Sequence, residues 1–333
     1  MELMGTGTKE KLNSYHPVFS VLPGNLRELV AGLPLQFMDR LEEIRLRQNR
    51  PLIVTHTAGD IYLSPAGEPT RHPGNAYIVS GDDIQRVTRM VSNSSLYAIE
   101  EELKNGYITL PGGHRVGITG KAVLEAGKVK TIKYISGFNI RVSREVKGIA
   151  DNILPYLLDK DGRVKHCLII SPPRCGKTTL LRDLVRLISN GKPELNYTGV
   201  NVGLVDERSE LAGCYRGVPQ RDIGLRTDVL DACPKAEGMM MLLRAMAPQV
   251  IATDEIGKVE DIKAMEEVVN AGVTVLSTVH GSSPEEIMRR PALKYLLGLN
   301  VIEKFIILGR SRGVGTVEDI ADGTGFLFGG VDK

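Results

Sequence analysis

A chain of 333 residues with 42% hydrophobic side chains is longer than one ordinary domain and can bury a substantial core. Lysine plus arginine number 42 against 40 for aspartate plus glutamate, so the net charge of +2 excludes a bulk attraction to nucleic acid or acidic lipid and leaves only a local basic face. Cys167, Cys175, Cys214 and Cys233 show no CxxC spacing, no apolar run reaches the about 18 residues of a membrane span, and Met1 to His16 lack the apolar core of a signal peptide; the expectation is buried thiols in a cytoplasmic chain that meets membrane only through partners.

Residues 17 to about 50 are predicted helical, because Leu26, Leu29 and Val30, then Phe37, Leu41 and Ile44, recur at helical spacing. The period then shortens. Two runs rich in Val, Ile, Thr and Tyr, joined around Ala58, Gly59 and Asp60, predict a hairpin. Residues 81–106 return to helix, with Asp82 or Asp83 as N-cap and Ile84, Val87 and Met90 on one face. Strands separated by glycine turns follow. Residues 1–146 therefore read as a small α+β domain with no nucleotide site of its own, and 147–165 as a linker. In residues 166–333 the pattern is different. Buried strands alternate there with helices, which predicts an α/β domain with a mainly parallel sheet and helices on both faces.

The first of those strands runs into "SPPRCGKTT", residues 171–179, nearly the phosphate-binding pattern G-x-x-x-x-G-K-[ST]. Gly176 keeps its place, while Ser171 stands where the first glycine belongs. The stretch Ser171, Pro172, Pro173, Arg174, Cys175, Gly176, Lys177, Thr178 and Thr179 is the candidate ATP cradle. Lys177 would reach the β- and γ-phosphates, and Thr178 would ligate Mg²⁺ at a helix N-terminus. "PQVIATDEIG" ends a later apolar strand in two acids: Asp254 to hold the metal and Glu255 to act as base. Between them "VGLVDERSELAG" offers Asp206 and Glu207, with Glu207 the second candidate base. A further strand ends in Thr278 and His280, where a side chain can sense the γ-phosphate, and Arg244 precedes the acidic strand. An extra strand between loop and acids is the order of RecA-like and AAA+-like ATPases.

This motif set resembles the secretion ATPase superfamily of type II and type IV secretion and pilus motors, through "SPPRCGKTT", the acidic box "LVDERSE", "RAMAPQVIATDEIG" and the histidine box "STVHGSS". It resembles more closely the stage III sporulation AA family of endospore-forming bacteria, through "LEEIRLRQNRPL" and "GFNIRVSREVKG" as well, over roughly residues 20 to 325. The resemblance implies a RecA-like C-terminal ATPase domain using ATP and Mg²⁺, and homo-hexameric rings with nucleotide between subunits. It also implies integral membrane partners, at the mother-cell face of a channel into the forespore. Gly281 and Ser282 depart from the usual residues after the histidine, and the zinc-binding cysteine module of some relatives is absent. For such a ring, Arg141 and Arg144 at a strand end are candidate cations acting in trans, with Arg115 a rival. Two other readings stay open: a nucleotide-gated scaffold with negligible turnover, hinted at by Ser171, and a nucleic-acid translocase. For the translocase the charge balance, 5% aromatics and absence of tryptophan offer little.

Overall fold

The computed structural model describes residues 16–57, 59–92 and 99–323, and the chain divides into two compact units, Met1–Arg144 and Glu145–Lys333. Residues 1–15, Ala58 of the hairpin turn and residues 93–98 of the predicted helix lie outside the described residues. No helix among the described residues is long and apolar enough to cross a membrane.

Among the described residues the first unit carries seven antiparallel strands: β1 (Leu41–Arg47), β2 (Ile53–His56), β3 (Gly59–Leu63), β4 (Pro69–Thr70), β5 (Tyr107–Leu110), β6 (His114–Glu125) and β7 (Lys128–Arg141). They are ordered β4-β3-β2-β1-β7-β6-β5. Leu41–Arg47 is thus a strand, not the helix that its spacing predicts. The reason is a bulge in its pairing with β2 between Leu41 and Glu43, which resets the alternation. Leu41 and Ile44, three apart, are then both fully buried, as is Leu46. The helices His16–Ser20 (α1), Gly24–Ala31 (α2), Leu35–Met38 (α3), Gly81–Val91 (α4) and Glu100–Asn105 (α5) belong to this unit, and Leu22, Leu26, Ile84, Val87 and Ile140 share its core. The N-cap of α4 is Ser80 rather than Asp82 or Asp83. Its hydroxyl accepts from the Asp83 N–H, and the Asp83 carboxylate accepts from the Ser80 N–H, a capping box that uses the aspartate three residues in.

In the second unit, six parallel strands and one antiparallel edge strand form one sheet: β8 (Cys167–Ser171), β9 (Val202–Asp206), β10 (Thr227–Asp231), β11 (Val250–Thr253), β12 (Thr274–His280), β13 (Lys304–Gly309) and β14 (Thr316–Asp322). Their order is β10-β9-β11-β12-β8-β13-β14. Alternate residues divide between two cores. Cys167, Ile169, Leu204 and Ala252 meet Leu180, Leu184 and Ile188 of helix α7 (Lys177–Asn190), whereas Leu168, Ile170, Val205 and Ile251 meet Met239 of α8 (Lys235–Ala245), Met265 of α9 (Val259–Asn270) and Leu296 of α11 (Pro291–Gly298). Burial on both faces is why these strands read as continuous apolar runs. A short helix, α10 (Pro284–Met288), lies between β12 and α11. The segment 147–165, expected as a linker, contains the turn α6 (Leu154–Leu157) and places Ala150, Ile153, Leu154 and Leu157 in the first of these cores. Parallel strands put their carboxyl ends on one edge of the sheet. Ser171, Asp206, Thr253 and His280 all stand at that edge.

Candidate active site

β8 is buried through its last residue, and the chain then turns and enters α7 at Lys177. Ser171 lies in the strand, so its position asks for no left-handed backbone, and its hydroxyl donates to the Pro172 carbonyl at 2.9 Å. The left-handed conformations fall on Arg174 (φ 57°) and on Gly176 (φ 87°). The conformation at Gly176 favours glycine, and a Cβ there would make a tight contact, 3.3 Å from the Gly315 Cα. Cys175 is buried, Pro173 and Arg174 are exposed, and Pro172, Thr178 and Thr179 are half-buried.

Lys177 does not extend into solvent; it is 6% exposed. Its Nζ lies 2.5 Å from Glu255 Oε1 and 2.6 Å from His280 Nε2, and that ring nitrogen is 2.8 Å from the same Oε1, closing a triangle. Arg208 Nη1 takes the other carboxylate oxygen of Glu255 at 3.0 Å. Burial alone would push Glu255 up, but the hydrogen bond and charge of Lys177, with the charges of His280 and Arg208, outweigh it and hold the carboxyl below the usual range. Glu255 also carries a left-handed backbone, φ 43°, unusual for a side chain with Cβ. Thr278 on the neighbouring strand holds that turn: its Oγ1 accepts from the Glu255 N–H at 2.9 Å and its carbonyl accepts from Ile256 N–H at 3.0 Å.

Asp254, one residue earlier, is 2% exposed, and its Oδ1 is buried with no hydrogen-bond partner among the described residues. Burial first, then the charge of Asp206, pushes its carboxyl up to about 6 against a partial offset from Lys235. Asp206 itself is a structural anchor: it accepts from the N–H groups of Glu210, Leu211 and Ala212 at 2.8, 2.9 and 2.8 Å, and burial still raises its pKa. That turn delivers Arg208 to Glu255, while Glu207 pairs with Lys235 instead. Lys235, Thr278 as a backbone holder, and Arg208 as a partner of Glu255 are contributions that the motifs do not announce; the buried placement of a lysine at a helix start, Lys235, has no signature in sequence.

These residues fit ATP with Mg²⁺. An orphaned buried carboxylate oxygen wants a cation, and the left-handed Gly176 leads into a helix that Lys177 and Thr178 open at the same edge. The remaining candidates are elsewhere. Arg244 is exposed in the last turn of α8 and shares a cleft with Glu237, Lys263 and Tyr295; α8 runs back toward the start of β11, so its end lies at the amino edge of the sheet, opposite Lys177. Arg244 is therefore not part of the cluster. In the first unit, Arg141 Nε is 3.3 Å from Glu43 Oε1, Arg144 donates to the Leu41 carbonyl at 3.0 Å, and Arg115 stacks 3.6 Å above the Tyr107 ring.

The family model described as sporulation stage III, protein AA, matches residues 13–328. Stage III sporulation protein AA of Bacillus subtilis (strain 168) is 45% identical over 308 residues, which cover 92% of this chain and 95% of that protein. Among solved structures, the ATPase DotB of Legionella pneumophila superposes with a TM-score of 0.53 at 17% identity over 80% of this chain and 72% of that one. The pilus retraction motor PilT, solved with bound ADP, superposes with a TM-score of 0.51 at 15% identity over 82% and 76%. At those identities the likeness is one of α/β fold. The match over nearly the whole length carries more: the chain belongs to the sporulation stage III protein AA family.

Proposed function

We propose that the protein is an ATP-hydrolysing motor whose second unit is a RecA-like, secretion-type ATPase domain. It works as a homo-hexameric ring on integral membrane partners and energises the channel between mother cell and forespore from the mother-cell side. The observation that carries the reading is the convergence of Lys177, Glu255 and the unpartnered Asp254 at one edge of a parallel sheet. Lys177 and the loop amides would hold the phosphates, and Thr178 and Asp254 the magnesium. The metal, when bound, supplies positive charge to the phosphoryl oxygens. Glu255, whose carboxyl is held below the usual range chiefly by Lys177, is the group able to take a proton from an attacking water. Thr278 fixes where that carboxylate stands. Likeness to ATPases in fold and membership of a sporulation family support the rest of the reading.

Steady-state ATP hydrolysis measured against protein concentration tests it. A rate per subunit that rises as the protein assembles is expected. A purified protein that binds ATP with no turnover at any concentration would instead be a nucleotide-gated scaffold, and turnover that depends on added DNA would be a translocase.

A further inference from the structure

The phosphate loop has no first glycine and places Arg174, a residue with a full side chain, at φ 57°. What holds it there comes from outside the motif. β13 lies parallel to β8 with Ile307 beside Ile170, so the chain leaving β13 passes alongside the loop that leaves β8. The first residue past β13 is Arg310. Its Nη2 donates to the carbonyls of Pro173 and Arg174 at 3.0 and 3.3 Å, and its Nε donates to Cys175 Sγ at 3.2 Å. In a trans peptide the carbonyl and the following N–H point to opposite sides. Holding the Pro173 and Arg174 carbonyls toward the guanidinium therefore turns the N–H groups of Arg174 and Cys175 the other way. The same connection continues to Gly315, whose Cα lies 3.3 Å from where a Gly176 Cβ would stand.

The geometry points to Arg310 as a positioning residue of the nucleotide site: it locks two loop amides in the orientation that a phosphate needs, a task the pattern elsewhere assigns to loop glycines. The inference rests on the proposed nucleotide site and adds a residue from another strand. A surface arginine that only closed the β13–β14 connection would leave affinity unchanged when replaced.

The test uses the full chain and two variants, Arg310→Ala and Arg310→Lys, with two readouts. One is the affinity for a fluorescent ATP analogue with Mg²⁺. The other is the alkylation rate of Cys175, followed by peptide mass spectrometry; this thiol is 1% exposed and lies against the guanidinium. Arg310→Ala is expected to weaken nucleotide binding about tenfold or more and to speed Cys175 alkylation several-fold, with Arg310→Lys between it and the parent because one donor and the charge remain. Affinity within about twofold of the parent overturns the positioning role, whether or not alkylation speeds up. A parent protein that binds no nucleotide overturns the nucleotide site instead, and the alkylation rates then still decide whether Arg310 holds the loop: an unchanged rate in Arg310→Ala means that it does not.

Discussion

Lys177 and Glu255, proposed as the phosphate-binding lysine and the base, hold one another: Nζ lies 2.5 Å from Oε1 in a site where the lysine is 6% exposed. A phosphate that takes Lys177 has to compete with this carboxylate. Glu255→Gln keeps the shape and removes the competing charge, so nucleotide binding is expected to tighten about threefold to tenfold while turnover falls at least about a hundredfold. Titration with a fluorescent nucleotide and phosphate release measure the two separately. Hydrolysis at the parental rate would move the base elsewhere, with Glu207 next in line once freed from Lys235.

Lys177→Ala has the opposite signature. Backbone N–H groups cannot replace a cation on the β- and γ-phosphates, and binding is expected to weaken by about a hundredfold or more. Glu255 keeps Arg208 and His280 as partners, so the variant should fold. An affinity within about threefold of the parent would remove the phosphate-loop assignment.

Asp254 links stability to function through its raised pKa, from an ordinary 3.8 to about 6. A carboxyl whose folded pKa is raised favours folding while protonated; that contribution is lost as pH rises from about 4 through 6, on the order of 3 kcal/mol for a fully buried group. The facing groups are Asp206, Glu255 and Glu210, which add to the penalty, and Lys235, which subtracts from it. Asp254→Asn is expected to melt a few degrees above the parent at pH 7.5, to lose that advantage below pH 5, and to lose magnesium-dependent nucleotide binding. Equal melting temperatures at both pH values would contradict the buried, unpartnered charge.

Much of the second unit is legible in the sequence because the physics there is local. Strands buried on both faces leave unbroken apolar runs, and the proposed phosphate chemistry asks for a glycine, a lysine and a threonine at adjacent positions, as Gly176, Lys177 and Thr178 stand. The acids are legible as strand ends. Arg310, Thr278 as a holder of Glu255, and the Lys235–Glu207 pair are not, because each acts through a neighbouring element brought close only by the sheet order or the packing of α8. β1 deceives for a different reason: a bulge places Leu41 and Ile44 on one side at a separation that otherwise belongs to helices. Arg244 carries the right charge near the right motif, but strand direction puts it at the wrong edge.

A ring needs cations beyond Lys177 on the transferring phosphate, and Arg141 and Arg144 are proposed to supply them to a neighbouring subunit. Among the described residues the Arg141 side chain, itself exposed, pairs with Glu43 and Arg144 donates to one carbonyl, so both can be replaced at a cost of about 1 kcal/mol or less. Arg141→Ala/Arg144→Ala and Lys177→Ala should each be inactive alone, and mixing with subunit exchange should restore hydrolysis at roughly a quarter of the interfaces. Absence of recovery despite confirmed exchange would discharge these arginines from the mechanism.

Arg208 grips the oxygen of Glu255 that Lys177 and His280 leave alone, at 3.0 Å, from a side chain that is 59% exposed. When a phosphate draws Lys177 away, Arg208 remains as a cation on the base. A neighbouring cation lowers a carboxyl pKa, so removing it raises the pKa of Glu255 and leaves less of the base ionised at low pH. Arg208→Ala should therefore move the acid limb of the kcat profile to higher pH, with kcat near pH 8 within about threefold of the parent. Exposure makes the pair screenable, so the shift should shrink in about 0.5 M salt, and Arg208→Lys should restore most of the profile. A uniform loss at every pH would instead place Arg208 on the phosphate, and an unmoved acid limb with full activity would leave its contact with Glu255 without a role in turnover.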